Sequence, residues 1–594
     1  MVSLSLSLLF RRLWRHIGRH RRIQFGFLLL LMLFASFFEI LSIGAVIPFL
    51  GVLTAPESLF SNSSFRPVVH FFRLTSSEQL ILPITIAFCL ATLAAGGMRL
   101  LLLWATTRLS FNVGAELSIS IYRRTLYQPY TIHCARNSSE VISGITNKAS
   151  NLTHNIIVPA LTLISSSVIL VAIICAVFMA EPFVAVLVFG GLAFIYFFII
   201  GLTRKRLLTN SECVARESVK TIKALQEGLG GIRDVLIDGS QLIYCQAYSA
   251  ADLALRRAQG GNAFIAASPR YVIESLGMLL IAVIAYSVAQ QPDGISKAVP
   301  MLGALAIGAQ RALPTLQQAY GSWANIRGGQ SSLQDTLDLL DQPLPDYLER
   351  STPNALAFSS GIYLKQLGFR YGPQAPYVFK NINLNIPKGG RIGFIGASGS
   401  GKSTLLDVVM GLLPATDGFI EVDGKSITFA NSRAWQAHIA HVPQVIFLTD
   451  ASVEQNIAFG VPKELIDRER VREVALQAKI SESIESWPDK YQTVVGERGV
   501  RLSGGQRQRI GIARALYKKA SIIIFDEATS ALDYDTEEAV MQAINELSQD
   551  LTLLIIAHRI TTLQHCSQIV ELGNGGVKRI GKYSEFCNQM GINA

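Results

Sequence analysis

Long apolar stretches alternate with charged segments along the first half of the chain. A helix that crosses a lipid bilayer needs about 20 mostly apolar residues. Six stretches meet this requirement, near residues 23–53, 79–105, 156–180, 182–203, 269–290 and 297–319. A tight hairpin at Glu181-Pro182 joins the third and fourth, and a short turn at 290–294 joins the fifth and sixth. The pattern predicts a six-helix, all-α transmembrane domain.

The segments that connect these stretches set the expected orientation. Residues 106–155 and 204–268 are long, basic and compatible with helix. Basic loops usually face the cytoplasm, and an even number of spans puts both chain ends on that side. We expect each segment to contain a short transverse helix, near Tyr127 to Arg136 and near Leu229 to Ser240. Ordinary helix-to-helix linkers are the alternative.

The first 22 residues combine basic and apolar positions. Apolar residues recur at helical spacing, namely Leu6, Leu9, Phe10, Leu13, Trp14 and Ile17. Arginines lie between and after them, namely Arg11, Arg12, Arg15, Arg19, Arg21 and Arg22. This pattern predicts an amphipathic helix at the membrane surface, with a disordered basic tail as the alternative. Since the basic cluster adjoins a long apolar run, it indicates the cytoplasmic flank of a first span, and we expect no nucleic-acid partner. That run is too long for a cleavable signal peptide.

Composition agrees with a membrane protein. Hydrophobic residues make up 50% of the 594 positions and charged residues only 16%, against about 25% in ordinary globular domains. The seven cysteines are scattered and form no CxxC pair, which argues against a disulfide framework or a zinc site. A chain of this length is too long for one compact domain.

The composition changes near residue 340, where Pro343, Pro345 and Pro353 punctuate a polar stretch. After it, short β-rich runs alternate with helical stretches, which is typical of an α/β domain. The β-rich runs are Gly361 to Phe369, Arg391 to Ile395, Ser521 to Phe525 and Leu551 to Ile556. We therefore expect an interfacial helix at 1–22, a transmembrane domain at 23–340, a linker at 341–356 and an α/β domain at 357–594.

A glycine-rich loop carries the clearest chemical signal. It follows the apolar run Ile392 to Ile395 and opens a helical stretch, with the residues Gly396, Ala397, Ser398, Gly399, Ser400, Gly401, Lys402, Ser403 and Thr404. In a P-loop the backbone N–H groups surround phosphate oxygens at the start of a helix. Lys402 is then expected to reach the β- and γ-phosphates of ATP, and the Ser403 hydroxyl to bind Mg²⁺.

A second apolar run, Ser521 to Phe525, ends in the carboxylates Asp526 and Glu527. A strand buried in a parallel sheet reads as such a continuous apolar run. Asp526 fits a ligand of the metal ion, directly or through water. Glu527 fits the base that polarises the attacking water.

A third motif is Leu502-Ser503-Gly504-Gly505-Gln506. It resembles the signature of ATP-binding cassette proteins, and the resemblance covers residues 355 to 585. It implies that Ser503, Gly504, Gly505 and Gln506 contact nucleotide. Further residues fall in the family's order, and the resemblance assigns their roles: Tyr371 stacks on adenine, Gln444 touches Mg²⁺ and water, Gly496 to Gly499 contact the membrane domain, Ser530 to Asp533 form the D-loop, and His558 contacts the γ-phosphate.

The signature also has a consequence for assembly. In the family, its serine and glycine N–H groups contact the γ-phosphate held by the P-loop of the other copy. The chain has one P-loop and one signature, so the resemblance implies a homodimer with C₂ symmetry and two ATP sites. Glu527, His558 and Gln444 are the expected catalytic residues at both sites.

Charged residues inside the predicted spans are costly and usually functional. They are Glu39, Arg99, Arg270, Glu274 and Arg311. Arginine suits bidentate phosphate binding, so we expect the three arginines to line a cavity and bind an anionic head group. Two alternatives stay open. Arg99 and Arg270 lie nearer the inner boundary and could snorkel, and Arg270 could pair with Glu274 at i,i+4.

The membrane half more loosely resembles the bacterial flippase of lipid-linked oligosaccharides. The matching stretches are Phe38-Glu39 through Pro48-Phe49, Ser268 through Glu274, and Arg311 through Pro314. The resemblance implies a polyprenyl-pyrophosphate-linked glycan as cargo and the bacterial cytoplasmic membrane as location. An exporter of lipid A-type lipid, glycolipid, peptide or drug is the alternative.

A cassette-gated channel or receptor is a rival of another class. The intact Glu527, Gln506 and His558 argue against it. A peptide-processing exporter would need a protease domain, and none fits before Ile23. The spanning helices exclude a soluble DNA-repair ATPase.

Overall fold

The computed structural model describes residues 5–54, 57, 60, 76–180, 182–289, 312–345, 356–527, 533–545, 550–557 and 559–590. The chain divides into two compact units. The first, the transmembrane unit, combines Met1–Gln128 with Arg136–Leu344. The second, the cassette unit, combines Pro129–Ala135 with Pro345–Ala594.

The transmembrane unit is built of helices. Their bounds are Leu6–His16, Arg19–Gly44, Val46–Thr54, Ile81–Leu126, Ser138–Ser143, Ala149–Leu152, Val158–Ala180, Pro182–Gly230, Ile232–Ile237, Gln241–Ala267, Pro269–Ala289 and Gln330–Leu340. Single π-helical turns at Gly144–Lys148 and Thr153–Ile157 interrupt the helical path before Val158. The helix Pro182–Gly230 has 49 residues, which at 1.5 Å per residue is about 73 Å and far exceeds a bilayer. Such helices carry the fold well beyond the membrane.

Among the described residues, three helical stretches are long and apolar enough to cross a membrane: Arg19–Ser42, Ser77–Leu126 and Ser138–Cys175. The second contains the predicted span 79–105, and the first and third overlap most of the predicted spans 23–53 and 156–180. The fourth and fifth predicted spans lie in the helices that begin at Pro182 and Pro269. Most of the sixth, together with Glu181 and the 290–294 turn, lies outside the described residues.

The first predicted span differs from the structure in one respect. The stretch 23–53 is not one helix, because the chain leaves the helix at Ala45 between Arg19–Gly44 and Val46–Thr54. Pro48 has no N–H to donate to the carbonyl of Gly44, and its ring crowds that carbonyl. The predicted span therefore consists of two consecutive helices.

The predicted amphipathic helix at the amino terminus is confirmed and spans Leu6–His16. Its buried residues Leu9 and Leu13 pack into the core of the transmembrane unit. On its polar side, Arg12 Nη2 lies 2.5 Å and His16 Nε2 lies 2.6 Å from the carboxylate of Asp341. The helix is therefore joined to the end of the last helix before the linker and is not a disordered tail.

Both predicted transverse helices are present. The first, Tyr130–Ala135, belongs to the cassette unit although the flanking chain belongs to the transmembrane unit. The second, Ile232–Ile237, stays with the transmembrane unit and leaves large apolar side chains exposed. Leu236 is 60% exposed and Ile237 is 72% exposed. The two helices therefore differ in what covers them within one chain.

In the described part of the cassette unit there are ten strands. They are β1 Gly361–Phe369, β2 Phe379–Pro387, β3 Arg391–Ile395, β4 Asp417–Val422, β5 Lys425–Ser426, β6 Ile439–Val442, β7 Ile522–Asp526, β8 Thr552–Ile556, β9 Gln568–Gly573 and β10 Gly576–Gly581. One sheet has the order β2-β1-β4-β5 and is antiparallel. The other has the order β10-β9-β3-β8-β7-β6, parallel except for β10.

The helices of this unit are Lys402–Val409, Ser432–Gln436, Val453–Ile457, Arg468–Gln477, Ser481–Glu485, Gly504–Tyr517, Tyr534–Asn545 and Tyr583–Met590. The central strands β3, β7 and β8 are almost wholly apolar and buried, as a sheet covered on both faces requires. The predicted α/β fold is confirmed. Because parallel strands end at the same edge, the loops after β3, β6 and β7 meet at one place.

Candidate nucleotide site

The glycine-rich loop joins β3 to the helix Lys402–Val409, as predicted. Gly396 and Gly401 have φ of +149° and +90°, which L side chains rarely adopt. A Cβ at Gly396 would lie 2.3 Å from the carbonyl oxygen of Leu572, and one at Gly401 would lie 2.8 Å from Val378 Cγ1. Both positions therefore require glycine, and the backbone forms a close-fitting cradle.

Lys402 lies inside this cradle. Its side chain is buried, and its ammonium donates hydrogen bonds to the carbonyl oxygens of Gly396 at 2.9 Å and Ala397 at 3.0 Å. A buried cation held by loop carbonyls is suited to the triphosphate of ATP, because phosphate oxygens offer it a full counter-charge. The cradle and this lysine fit the nucleotide that the motif predicts.

A hydroxyl and a carboxylate meet beside the loop. Ser403 Oγ donates a 3.1 Å hydrogen bond to Asp526 Oδ1, which stands at the end of β7. Oxygen ligands of this kind suit Mg²⁺, which is usually bound by one or two protein groups together with substrate phosphates. These two residues would hold the ion, and the ion would neutralise charge on the phosphates.

The predicted catalytic pair is also in contact. Gln444, two residues after β6, donates from Nε2 to Glu527 Oε2 at 2.6 Å. Glu527 has a φ of +51°, in the left-handed region, and its N–H bonds the carbonyl of Ile556 at 3.1 Å. Non-glycine residues in this region carry strain and cluster at functional sites. The backbone thus holds this carboxylate at the sheet edge at a conformational cost.

Two further titratable groups were missed from the sequence. Asp407 lies on the helix Lys402–Val409, and burial together with the nearby charge of Asp526 raises its pKa to about 6. Burial also lowers the pKa of His441, although Asp526 opposes this. The signal for Asp407 was available, because a carboxylate stands in the second turn of the helix that opens at the P-loop.

Tyr371 lies beside the same helix. Its hydroxyl is 3.2 Å from Thr404 Oγ1, and its ring packs edge-on against Phe369. The residue remains 60% exposed. An aromatic ring fixed at one edge and open on its face is suited to stacking on a flat base.

The signature forms the start of the helix Gly504–Tyr517. Ser503 Oγ accepts from the N–H of Gln506 at 3.2 Å, and the Gln506 side chain accepts from the N–H of Ser503 at 2.9 Å. This reciprocal capping box fixes the first turn. Within the described residues, no hydrogen bond or ion pair joins Ser503 or Gln506 to the loop 396–404 of the same chain.

Two predicted elements fall wholly or partly outside the described residues, namely His558 and residues Ser530 to Leu532 of the D-loop. Asp533, the last D-loop residue, is described. Its carboxylate accepts from Thr536 Oγ1 at 2.8 Å and from the Thr536 N–H at 3.1 Å, and these bonds lower its pKa. It thereby caps the helix that follows.

The structure describes four of the five charged residues of the predicted spans. Arg99 Nη2 donates to Glu39 Oε1, and the Glu39 side chain is only 1% exposed. Arg270 lies 3.7 Å from Glu274, with both side chains more than half exposed. Arg311 lies outside the described residues. Arg99 therefore forms an ion pair with a buried carboxylate and does not snorkel alone, and Arg270 takes the i,i+4 alternative.

The family model for "ABC transporter" matches residues 379–530, which include the P-loop, Gln444, the signature and Glu527. The ATP-dependent lipid A-core flippase of Chromohalobacter salexigens is 29% identical over 519 residues, 87% of this chain and 88% of that protein. The leukotoxin translocation ATP-binding protein LktB of a Pasteurella haemolytica-like species is 39% identical over 250 residues, 42% of this chain and 35% of that protein.

The structure of a bacterial Atm1-family ABC exporter with ATP bound has a TM-score of 0.75 and covers 96% of both chains. At 21% identity this likeness shows the fold. The match to the lipid A-core flippase extends across membrane and cassette portions alike, whereas the match to LktB covers 42% of the chain. ATP-driven export of an amphipathic substrate, from a membrane-embedded helical part with a cytoplasmic ATPase, is the activity these findings support. Together these findings support an ABC exporter half-transporter, an ATP-hydrolysing transporter with one helical membrane half and one cassette.

Proposed function

We propose that two copies of this chain form a C₂ homodimer that flips a lipid-linked oligosaccharide across the bacterial cytoplasmic membrane. In this proposal ATP lies between Lys402 of one protomer and Ser503 of the other. Ser403 and Asp526 hold Mg²⁺, and Glu527 accepts a proton from the attacking water. The remaining predicted nucleotide-binding residues keep the roles that the sequence assigns.

The signature geometry supports the dimer. Ser503 and Gln506 cap the first turn of the signature helix by bonding to each other. The other backbone N–H groups at this helix start are therefore available to the ATP that a second copy holds. The helix Ile232–Ile237 exposes apolar side chains, and such side chains usually mark a surface that another protein buries. A partner cassette is the simplest cover for both.

Mixed dimers test this arrangement. Lys402→Ala and Ser503→Arg should each abolish hydrolysis in a homodimer, because every site contains the defect. A mixed dimer of the two variants has one site with both defects and one site with neither. We expect co-purified mixed dimers to regain about half of the normal ATPase rate if the two sites act independently, whereas independent monomeric sites would regain none.

The cargo proposal depends on the arginines of the spans. Arg99 keeps 45% of its side chain exposed although it pairs with the buried Glu39. A guanidinium that is held in place at one edge can still bind phosphate oxygens with the other. A pyrophosphate-linked lipid presents such oxygens close to an apolar chain, and the exporter relatives named for lipid A-core carry lipids.

Flipping in proteoliposomes tests the cargo. The protein is reconstituted with a fluorescent polyprenyl-pyrophosphate glycan, lipid A or a peptide, and ATP-dependent movement between leaflets is measured. Arg311→Ala should reduce glycan flipping about tenfold or more, the worth of one good charge-assisted phosphate contact, while basal ATP hydrolysis stays largely intact. Arg257→Ala, an exposed arginine outside the predicted spans, is the matched control. Unchanged flipping in the Arg311 variant contradicts the head-group role.

Lipid A-type cargo is the second candidate. It is favoured by relatives named lipid A-core flippase that are 27 to 29% identical over more than 80% of this chain. If lipid A is flipped and the pyrophosphate glycan is not, the cargo assignment changes while the dimer proposal stands.

A further inference from the structure

Two neighbouring cavities lie along the helices Arg19–Gly44 and Ile81–Leu126 of the transmembrane unit. Their volumes are about 480 and 330 Å³, and Trp104 and Arg108 line both of them. Both cavities are open to the surroundings of the helices. Because they share these two lining residues the cavities adjoin, and we call the two together the span 1–2 groove.

The groove changes in polarity along its length. Leu100, Leu31 and Phe27 contribute its apolar walls, whereas Gln24 and Asn112 contribute polar side chains. Phe27 is 67% exposed and Leu100 is 68% exposed, so the rest of the chain does not cover these walls. A groove with an apolar run and a polar end has the same polarity gradient as one half of a bilayer.

Two ion pairs fix the position of the groove. Arg21 pairs with Glu116 at 2.6 Å, and Arg99 pairs with Glu39 further along the same two antiparallel helices. The stretch from Arg21 to Glu39 spans roughly 27 Å at helical rise, close to the hydrocarbon thickness of a bilayer. The polar end of the groove includes Arg21 itself.

This polar end is the cytoplasmic end. The helix that starts at Arg19 follows the amino-terminal helix, and Arg12 of that helix bonds to Asp341 just before the linker to the cassette. The cassette is cytoplasmic in an ABC exporter. The span 1–2 groove thus opens toward the cytoplasmic leaflet.

Arg108 supplies the charge of the groove. Its guanidinium lies 5.3 Å from the centre of the Trp104 ring, and within the described residues no carboxylate lies in salt-bridge distance of it. By contrast, Arg21 is already engaged by Glu116 and Gln24. An arginine over an aromatic ring, without a counter-charge and at the membrane surface, is suited to an anionic head group.

We propose that the span 1–2 groove binds an anionic glycerophospholipid of the cytoplasmic leaflet, with its phosphate on Arg108 and an acyl chain against Trp104, Phe27 and Leu31. Basic pockets between spanning helices on the cytoplasmic side are known to select such head groups. This lipid is a bound companion and not the cargo. The site therefore does not depend on which substrate the exporter carries.

The chemistry of the walls decides between this lipid and other occupants. A soluble anion would gain nothing from the apolar run, and a zwitterionic lipid would gain less from Arg108. The distance from Arg108 to Leu100 is about 12 Å at helical rise, long enough to cover much of an acyl chain. Both features together select a charged lipid.

Native mass spectrometry of the full-length protein tests the site. The protein is titrated with phosphatidylglycerol and, separately, with phosphatidylcholine of the same acyl chains. We expect tighter binding of phosphatidylglycerol, and Arg108→Gln should weaken that binding about fivefold, the effect of one basic residue near an anionic surface. Arg108→Lys should retain it within about twofold, because the charge remains.

Arg123→Gln is the matched control, since Arg123 is an exposed arginine on the same helix outside the groove. It should bind as the unaltered protein does. A photoreactive phosphatidylglycerol with its diazirine on the acyl chain should label peptides that contain Phe27 or Trp104. Equal binding of the two lipids, unchanged binding in Arg108→Gln, or labelling confined to other peptides overturns the proposal.

Discussion

Gln444 donates a 2.6 Å hydrogen bond to the carboxylate of Glu527, and so joins the ends of two neighbouring strands at the nucleotide site. If Glu527 is the general base, Glu527→Gln removes the proton acceptor and keeps the size of the side chain. We expect ATP hydrolysis to fall about a hundredfold or more, with ATP binding retained. Steady-state phosphate release and equilibrium binding of a fluorescent ATP analogue measure the two effects.

The control for this change is Glu538→Gln. Glu538 is exposed on the helix Tyr534–Asn545 and should alter neither quantity. Normal turnover in the Glu527 variant would mean that another group accepts the proton.

Asp407 gives a pH-dependent prediction. Its pKa is raised to about 6 by burial and by Asp526, so the folded protein binds its proton more tightly than the unfolded chain, whose Asp pKa is about 3.9. Ionisation of Asp407 therefore lowers the free energy of unfolding increasingly between pH 4 and pH 6, and the loss remains at higher pH. Asp407→Asn removes this penalty and should stabilise the apo protein at pH 7.5 by about 1 kcal/mol, after allowance for solvent screening.

Thermal unfolding of the full-length variant at pH 4.5 and pH 7.5 measures this effect. The gain should be larger at pH 7.5. Asp489→Asn, an exposed carboxylate in the same unit, should show no such difference. An equal gain at both pH values would refute the proposed cause.

The pair of Arg99 and Glu39 can be separated into stability and transport roles. Arg99→Leu takes the guanidinium away from a carboxylate that is 1% exposed, and should cost about 3 kcal/mol. The double variant Glu39→Leu with Arg99→Leu leaves no charge to bury and should recover most of the apparent melting temperature. A double variant that is no more stable than Arg99→Leu would show that the pair is not what stabilises this position.

The amino-terminal helix should loosen at low pH. Burial disfavours ionised Asp341, but hydrogen bonds from Arg12 and His16 outweigh it and lower the pKa of Asp341. A lowered carboxylate pKa gives stability above about pH 4 that is lost as the pH falls further. Asp341→Asn should speed hydrogen exchange in residues 6–16 about two- to fivefold at pH 7. Asp238→Asn, a change on an exposed turn, should leave this hydrogen exchange unaltered. Equal protection of residues 6–16 in both variants would disprove the role of the Asp341 contact.

The local chemistry of the site could be predicted from the sequence because it depends on residues close together in the chain. Gly396 to Ser403 specify a loop between strand and helix, and Ser503 with Gln506 specify a capped helix start. The runs 391–395, 521–525 and 551–556 became β3, β7 and β8 within one residue. Short-range patterns carry this information.

Long-range pairings could not be predicted in the same way. Nothing local places β8 between β3 and β7, or brings Arg12 to Asp341 across more than 300 residues. Arg99 was expected near the inner boundary, whereas its partner Glu39 lies far along the first helix from Arg21. Such contacts follow from how the helices and strands pack, and one sequence contains no record of that packing.

The ion pairs Arg21–Glu116 and Arg99–Glu39, which join the helices Arg19–Gly44 and Ile81–Leu126 at two separate points, also restrict how the membrane half can move. A slide of one helix past the other by a single turn, about 5.4 Å, would separate both pairs at once. These two helices must therefore shift as a single rigid body. Any opening of the membrane half has to occur between helices that are not joined by two ion pairs.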